Sequence, residues 1–206
     1  MHETHAVEVV VQPSGLLPTY AIAELLGLSV DQPISFRHFP LKEAKNRLLD
    51  NGIFDEVHLK KIRPNILFVK YSLKKPIALV GDTTNLAVDQ EGSLFPFSPF
   101  YSAEKLPTVF FGRKIPSAVQ IEIFTKLIQK PQVERLDLSR VDVPSLGRRG
   151  VIVTTIEKQL LRLTPKEYEK EWTHFEAMKK ALPKNSLIST IIDLRIPNVA
   201  YVEERK

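Results

Sequence analysis

The chain of 206 residues predicts an α+β protein of two modules: a β-α-α-β-β module over residues 1–75 and, over 76–206, a mostly antiparallel β domain with two helices. Three observations predict it. Apolar residues alternate with period two in segment after segment, which is the spacing of half-buried strands. Two short stretches of helical period fall between the first strand and the first hairpin. From Pro76 onward strand patterns dominate, with two helical stretches set among them. The composition, 43% hydrophobic and 26% charged, is that of an ordinary globular chain able to bury a core.

Val7, Val9 and Val11 share one face of a first strand, broken by Pro13-Ser14-Gly15. Ile22, Leu25 and Leu26 follow helical spacing between Pro18 and Gly27. Ser29 to Phe39 reads as an extended connector. Leu41, Ala44, Leu48 and Leu49 then form one apolar stripe, opened by Pro40 and closed by Asn51-Gly52. Val57 and Leu59, then Leu67, Val69, Tyr71 and Leu73, alternate on either side of Arg63-Pro64-Asn65 as an antiparallel hairpin. A three-stranded sheet with both helices on one face satisfies all these stripes.

In the second module Ile77 to Val80 and Leu86 to Val88 read as strands, and Asp89-Gln90-Glu91-Gly92 as a turn into Leu94 and Phe95. Pro96, Pro99 and Pro107 mark a loop. Pro116 opens a helix with Val119, Ile123, Phe124, Leu127 and Ile128 on its buried face, and Pro131 ends it. Val133 to Leu138, Val151 to Ile156 and Leu160 to Leu163 are expected strands. Thr164-Pro165-Lys166-Glu167 reads as a capping box, with Tyr168, Trp172, Phe175 and Leu182 along one side of the helix it opens. Leu187 to Ile196 and Val199 to Glu203 close the chain as strands around Pro197-Asn198.

The formal charge of +5 is spread over scattered pairs such as Lys60-Lys61 and Arg148-Arg149, so these read as solvated faces and no nucleic-acid partner is expected. The absence of cysteine excludes disulfides, thiolate metal sites and thiol nucleophiles. No apolar run approaches the ~20 residues of a spanning helix, and Met1 to His5 lacks the form of a signal peptide. Phosphate loops, nucleophile elbows and metal-ligand spacings are missing from the sequence. The His2, Glu3 and His5 triplet lacks zincin spacing. His38, His58 and His174 read as surface or satisfied histidines, and Asp137 with Arg140 and Asp142 as a charged strand end. A non-enzymatic protein without cofactor or metal is the expectation.

The ending Ile192-Asp193-Leu194-Arg195-Ile196-Pro197-Asn198 resembles the closing "DLR-x-PN" strand of the FtsQ/DivIB family of bacterial cell-division proteins. Gly52-Ile53-Phe54-Asp55-Glu56-Val57, Arg63-Pro64-Asn65-Ile66-Leu67 and Lys74-Lys75-Pro76-Ile77-Ala78 are similar to that family's POTRA segment. Asp89 to Gly92 with Leu94-Phe95-Pro96 is similar to its following hairpin. Phe54 stands where the family commonly has tryptophan, and Ile196 where tyrosine is frequent. The resemblance runs in the same order over most of the chain. It implies the extracytoplasmic part, on the periplasmic side of the inner membrane, of a single-pass protein whose membrane helix lies outside this chain. It further implies a POTRA domain followed by a β domain, and a scaffold that joins FtsB- and FtsL-like coiled-coil division proteins through its last strands.

A terminal strand leaves a row of amides and carbonyls to which a partner strand can add. On this reading Arg195, Ile196, Val199, Ala200, Tyr201 and Val202 bind the partner, Tyr201 as an apolar anchor and Arg195 through an acidic partner residue. From the residues alone, Glu203, Glu204, Arg205 and Lys206 instead guard that edge against aggregation, and the resemblance favours the partner role. A POTRA-bearing transport or assembly protein that holds β-strand clients is the alternative.

Overall fold

The computed structural model describes residues 7–13, 17–28, 36–97, 101, 106–129, 138–145, 150–183, 187–188 and 190–204. The fold is α+β. The chain divides into two compact units, one of Met1–Lys75 with Ser98–Tyr101, the other of Pro76–Phe97 with Ser102–Lys206.

In the first unit the order is β1 (Glu8–Gln12), α1 (Thr19–Leu25), α2 (Leu41–Asp50), β2 (Phe54–Ile62) and β3 (Ile66–Leu73). The strands lie in the order β1-β3-β2, with β1 parallel and β2 antiparallel to β3. One face is dry: Ile22 and Leu26 of the first helical segment and Ala44 and Leu48 of α2 cluster with Val57, Leu67 and Val69. Gly27 stops α1 because its φ of +73° is a left-handed conformation that a side chain disfavours. Its N–H bonds Glu24 O at 2.9 Å and that of Leu28 reaches Ala23 O at 2.9 Å, satisfying carbonyls at the helix end. The expected connector is in part a 3-10 turn, Phe36–His38, and 29–35 lie outside the described residues. Tyr101, far along the sequence, donates to Ile53 O at 3.5 Å, and burial pushes its hydroxyl up to about 12.

The second unit runs β4 (Ala78–Val80), β5 (Leu86–Val88), β6 (Leu94–Pro96), β7 (Thr108–Phe110), α3 (Ala118–Ile128), β8 (Leu138–Asp142), β9 (Val151–Thr155), β10 (Leu160–Leu163), α4 (Tyr168–Ala181), β11 (Thr190–Ile196) and β12 (Val199–Glu204). Among the described residues these strands form one sheet, β12-β11-β10-β9-β8-β7-β4-β5-β6. It is mostly antiparallel, with β4-β7, β7-β8 and β10-β11 parallel. The registers align one apolar row across it: Val80, Val109, Val141, Val153, Leu161 and Ile192, all at most 4% exposed. This row shares a core with Phe124 and Leu127 of α3 and Trp172 and Phe175 of α4, so Trp172 packs as a core residue.

Several sequence expectations change in the second unit. β7 lies just past the Pro96 to Pro107 loop, in a stretch where no strand was expected, because its three residues stand alone before the helix with no turn into a following strand. Val119 is exposed, and the buried position beside it is Gln120. The strand expected from Val133 begins in the described residues at Leu138 and continues to Asp142, so Arg140 lies inside it; 133–137, Asp137 among them, fall outside the described residues. The capping box at Thr164 is replaced by a different closure. Helix α4 starts at Tyr168, and Glu167 donates its N–H to Thr164 Oγ1 at 3.1 Å. The carboxylate that returns to Thr164 is that of Glu171, which accepts from its N–H at 2.6 Å and its hydroxyl at 2.8 Å. A reciprocal box does form at α3, where Ser117 Oγ accepts from Gln120 N at 3.3 Å and Gln120 Oε1 from Ser117 N at 3.1 Å.

Candidate partner-binding edge

Strands β11 and β12 form a hairpin whose turn is Pro197-Asn198, with Asn198 at φ +62°. That left-handed conformation suits asparagine among non-glycine residues. The register pairs Ile196 with Val199, Asp193 with Tyr201 and Ile192 with Val202, with an irregularity between Asp193 and Ile196. β12 pairs with β11 on one side and ends the sheet on the other, so among the described residues its outer edge is open. All six of its residues are exposed.

Side chains of β12 alternate between two faces. Val202 stands beside Ile192 and extends the apolar row to a seventh strand, yet it is 47% exposed. The reason is position: α4 packs on β10 and β11, and the row runs out past that cover. Ala200 shares this face and is also exposed. On the opposite face lie Val199 at 45% and Tyr201 at 62%, and Ile196 at the turn is 49% exposed. The residues singled out in sequence are thus brought together on one hairpin.

Arg195 is not a free cation. Its Nε donates to Asp193 Oδ1 at 2.8 Å and its Nη2 to Oδ2 at 2.5 Å, while Asp193 Oδ1 also accepts the Arg195 backbone N–H at 3.2 Å. The Arg195 guanidinium holds the Asp193 carboxyl below its ordinary value, and the same bonds raise Arg195. Arg162 of β10 approaches Asp193 Oδ2 at 3.7 Å. Two guanidinium groups therefore share one carboxylate beside Tyr201, with the Glu171 carboxylate also acting on Arg195, and N–H donors of both arginines are left for an acidic group.

A groove runs along the hairpin between it and α4, lined by Lys170, Glu171, His174, Leu194, Arg195 and Asn198. A smaller depression continues from His174, Leu194 and Asn198 to Ala177, Val199 and Ala200. Sequence reading missed Arg162, Lys170, His174 and Ala177 as part of this surface. On a strand or helix each reads as an ordinary outward residue, and only the cross-strand register and the seating of α4 bring them to the hairpin. His174 belongs to this groove, whereas His58 is an exposed residue of β2, 3.8 Å from Glu56.

The chain matches no family model and no curated protein. Among the described residues no group of three or more His, Asp or Glu is placed to hold a metal ion, and no helix is long and apolar enough to cross a membrane.

Proposed function

We propose that this chain is a non-enzymatic scaffold of the FtsQ/DivIB type, the extracytoplasmic part of a membrane-anchored division protein, which binds a partner by strand addition at β12. One observation carries the reading: the apolar row that forms the core of the large sheet ends on an uncovered strand, with Val202 at 47% exposure. A partner strand along β12 would satisfy the open backbone groups and bury the end of that row in the same step. Tyr201 and Val199 offer apolar anchors on the other face, and the Arg162, Asp193 and Arg195 cluster attracts an acidic partner residue. The order β-α-α-β-β of the first unit supports a POTRA domain. FtsB- and FtsL-like coiled-coil proteins are the partners that the sequence resemblance implies.

Titration calorimetry tests this with the extracytoplasmic segment of an FtsB-like protein from the same organism. Tyr201→Glu and Ala200→Pro are expected to abolish binding. The first removes an anchor and the second places a ring where the added strand must lie. Circular dichroism should show both variants folded. Unchanged affinity in both sinks the assignment of β12 as the docking edge.

A further inference from the structure

Ile115 is the most exposed large apolar side chain among the described residues, at 81%. It stands in the loop between β7 and α3, where Gly112, Arg113, Lys114 and Ile115 are all exposed. A single apolar residue in water needs no explanation by itself. Here the base of the loop is fixed by specific bonds. Both oxygens of Asp82 accept from it, Oδ2 from Phe111 N and Oδ1 from Gly112 N at 3.1 Å. Gln120 donates to Phe111 O at 2.8 Å, and the Phe111 side chain and Pro116 are buried. A Cβ at Gly112 would meet open space, so the tip stands clear of its surroundings. The fixed base keeps Ile115 from folding back onto the core, and its burial has to come from outside the molecule.

We infer that the tip Arg113-Lys114-Ile115 inserts into an anionic lipid surface. Charge selects that occupant. Residues 112–121 carry these two cations and no acid, and the Asp82 carboxylate at the loop base is already taken up by two N–H groups. At a bilayer surface the cationic heads meet lipid phosphates while the isoleucine passes into the acyl boundary, and the apolar stems of arginine and lysine bridge the two levels. Ala118 and Val119 on the first turn of α3 are also exposed, Val119 at 43%, and add apolar area behind the tip. A three-residue tip falls far short of the ~800 Å² per partner that a stable protein interface buries. One short tip binds a membrane weakly, and tethering amplifies it: a chain already anchored there meets the lipid at high effective concentration. Only that amplification rests on the proposed function; the tip and β12 are separate surfaces.

Co-flotation of the chain with vesicles of phosphatidylglycerol and phosphatidylcholine, against vesicles of phosphatidylcholine alone, tests the inference. Binding is expected on the anionic vesicles only and should fall as salt is added. Arg113→Ala and Lys114→Ala should each weaken it about 5-fold, the effect of one cation near an anionic surface. Ile115→Ser should weaken it at least ~10-fold. All three positions are exposed, so the fold is kept. Because the chain has no cysteine, Ile115→Cys accepts a single polarity-sensitive fluorophore. Its emission should shift to shorter wavelength on the anionic vesicles, while the same label on Ile156→Cys, 57% exposed just past β9, should stay unchanged. No flotation of the wild-type chain, equal flotation of Ile115→Ser, or a label at 115 that remains in water overturns the insertion. A label that shifts with the partner segment and not with vesicles also overturns it, and makes the tip a protein contact. Ile115→Ser should bind the partner segment with wild-type affinity, so loss of the lipid contact and loss of the docking edge are read separately.

Discussion

Gln120 is the polar residue on which two strands converge. At 1% exposure its amide donates to Phe111 O at 2.8 Å and Val143 O at 2.6 Å, just past the ends of β7 and β8. Replacing it with leucine keeps the bulk but strands two buried carbonyls, and an unmade bond of this kind costs about 1–3 kcal/mol. Urea denaturation of Gln120→Leu should show a loss of that size in the second unit. Asp193 gives a residue-scale prediction in pH. Its folded-state pKa is depressed by Arg195, so the folded protein holds that proton less tightly than the unfolded chain. The stability it contributes is whole above the ordinary aspartate range and is lost as the pH falls through that range and below. The gap in urea midpoint between wild type and Asp193→Asn should therefore be largest near neutral pH and close progressively from about pH 5 downward.

At the scale of the element, the end of β4 against β7 shows how a backbone position is set by its neighbour. Gly81 N donates to Val109 O at 2.8 Å, and a Cβ at Gly81 would clash with the tip of the Phe110 ring. The glycine is needed there for close approach. The Phe110 ring in turn carries the Arg140 guanidinium at 3.9 Å from its centre, and Asp142 fixes that guanidinium with bonds of 2.7 and 2.6 Å. Gly81→Ala is expected to displace the ring and cost about 1–3 kcal/mol by overpacking, measured by thermal unfolding. Elements differ in how much of this was legible. α2 and the β2-β3 hairpin were readable because their stripes span several periods. β7 was not, because no neighbouring hairpin in the sequence marks it and its partners β4 and β8 lie far along the chain. The start of α4 was misread because Glu171, one turn farther along than Glu167, supplies the returning carboxylate.

For the whole molecule, the two units have separate cores with no residue in common among those described. Leu48 is fully buried in the first and Phe124 in the second. Calorimetry should resolve two transitions, with Leu48→Ala lowering one and Phe124→Ala the other, each by about 2–5 kcal/mol. Leu48→Ala should leave the partner's affinity for β12 unchanged, since that edge belongs to the second unit.

Residue order alone determined the α+β class, most strands and helices, and the concentration of unusual residues in the last hairpin. Hydrophobic period is a local property, so it survives in a single sequence. What only the tertiary structure decided is which strand stands at the margin of the sheet, that one apolar row crosses seven strands to end at Val202, and that Asp193 already engages Arg195. Strand order, register and cross-strand pairing depend on residues distant in sequence meeting at fixed separations. No local pattern encodes those meetings; the free energy of the packed whole does.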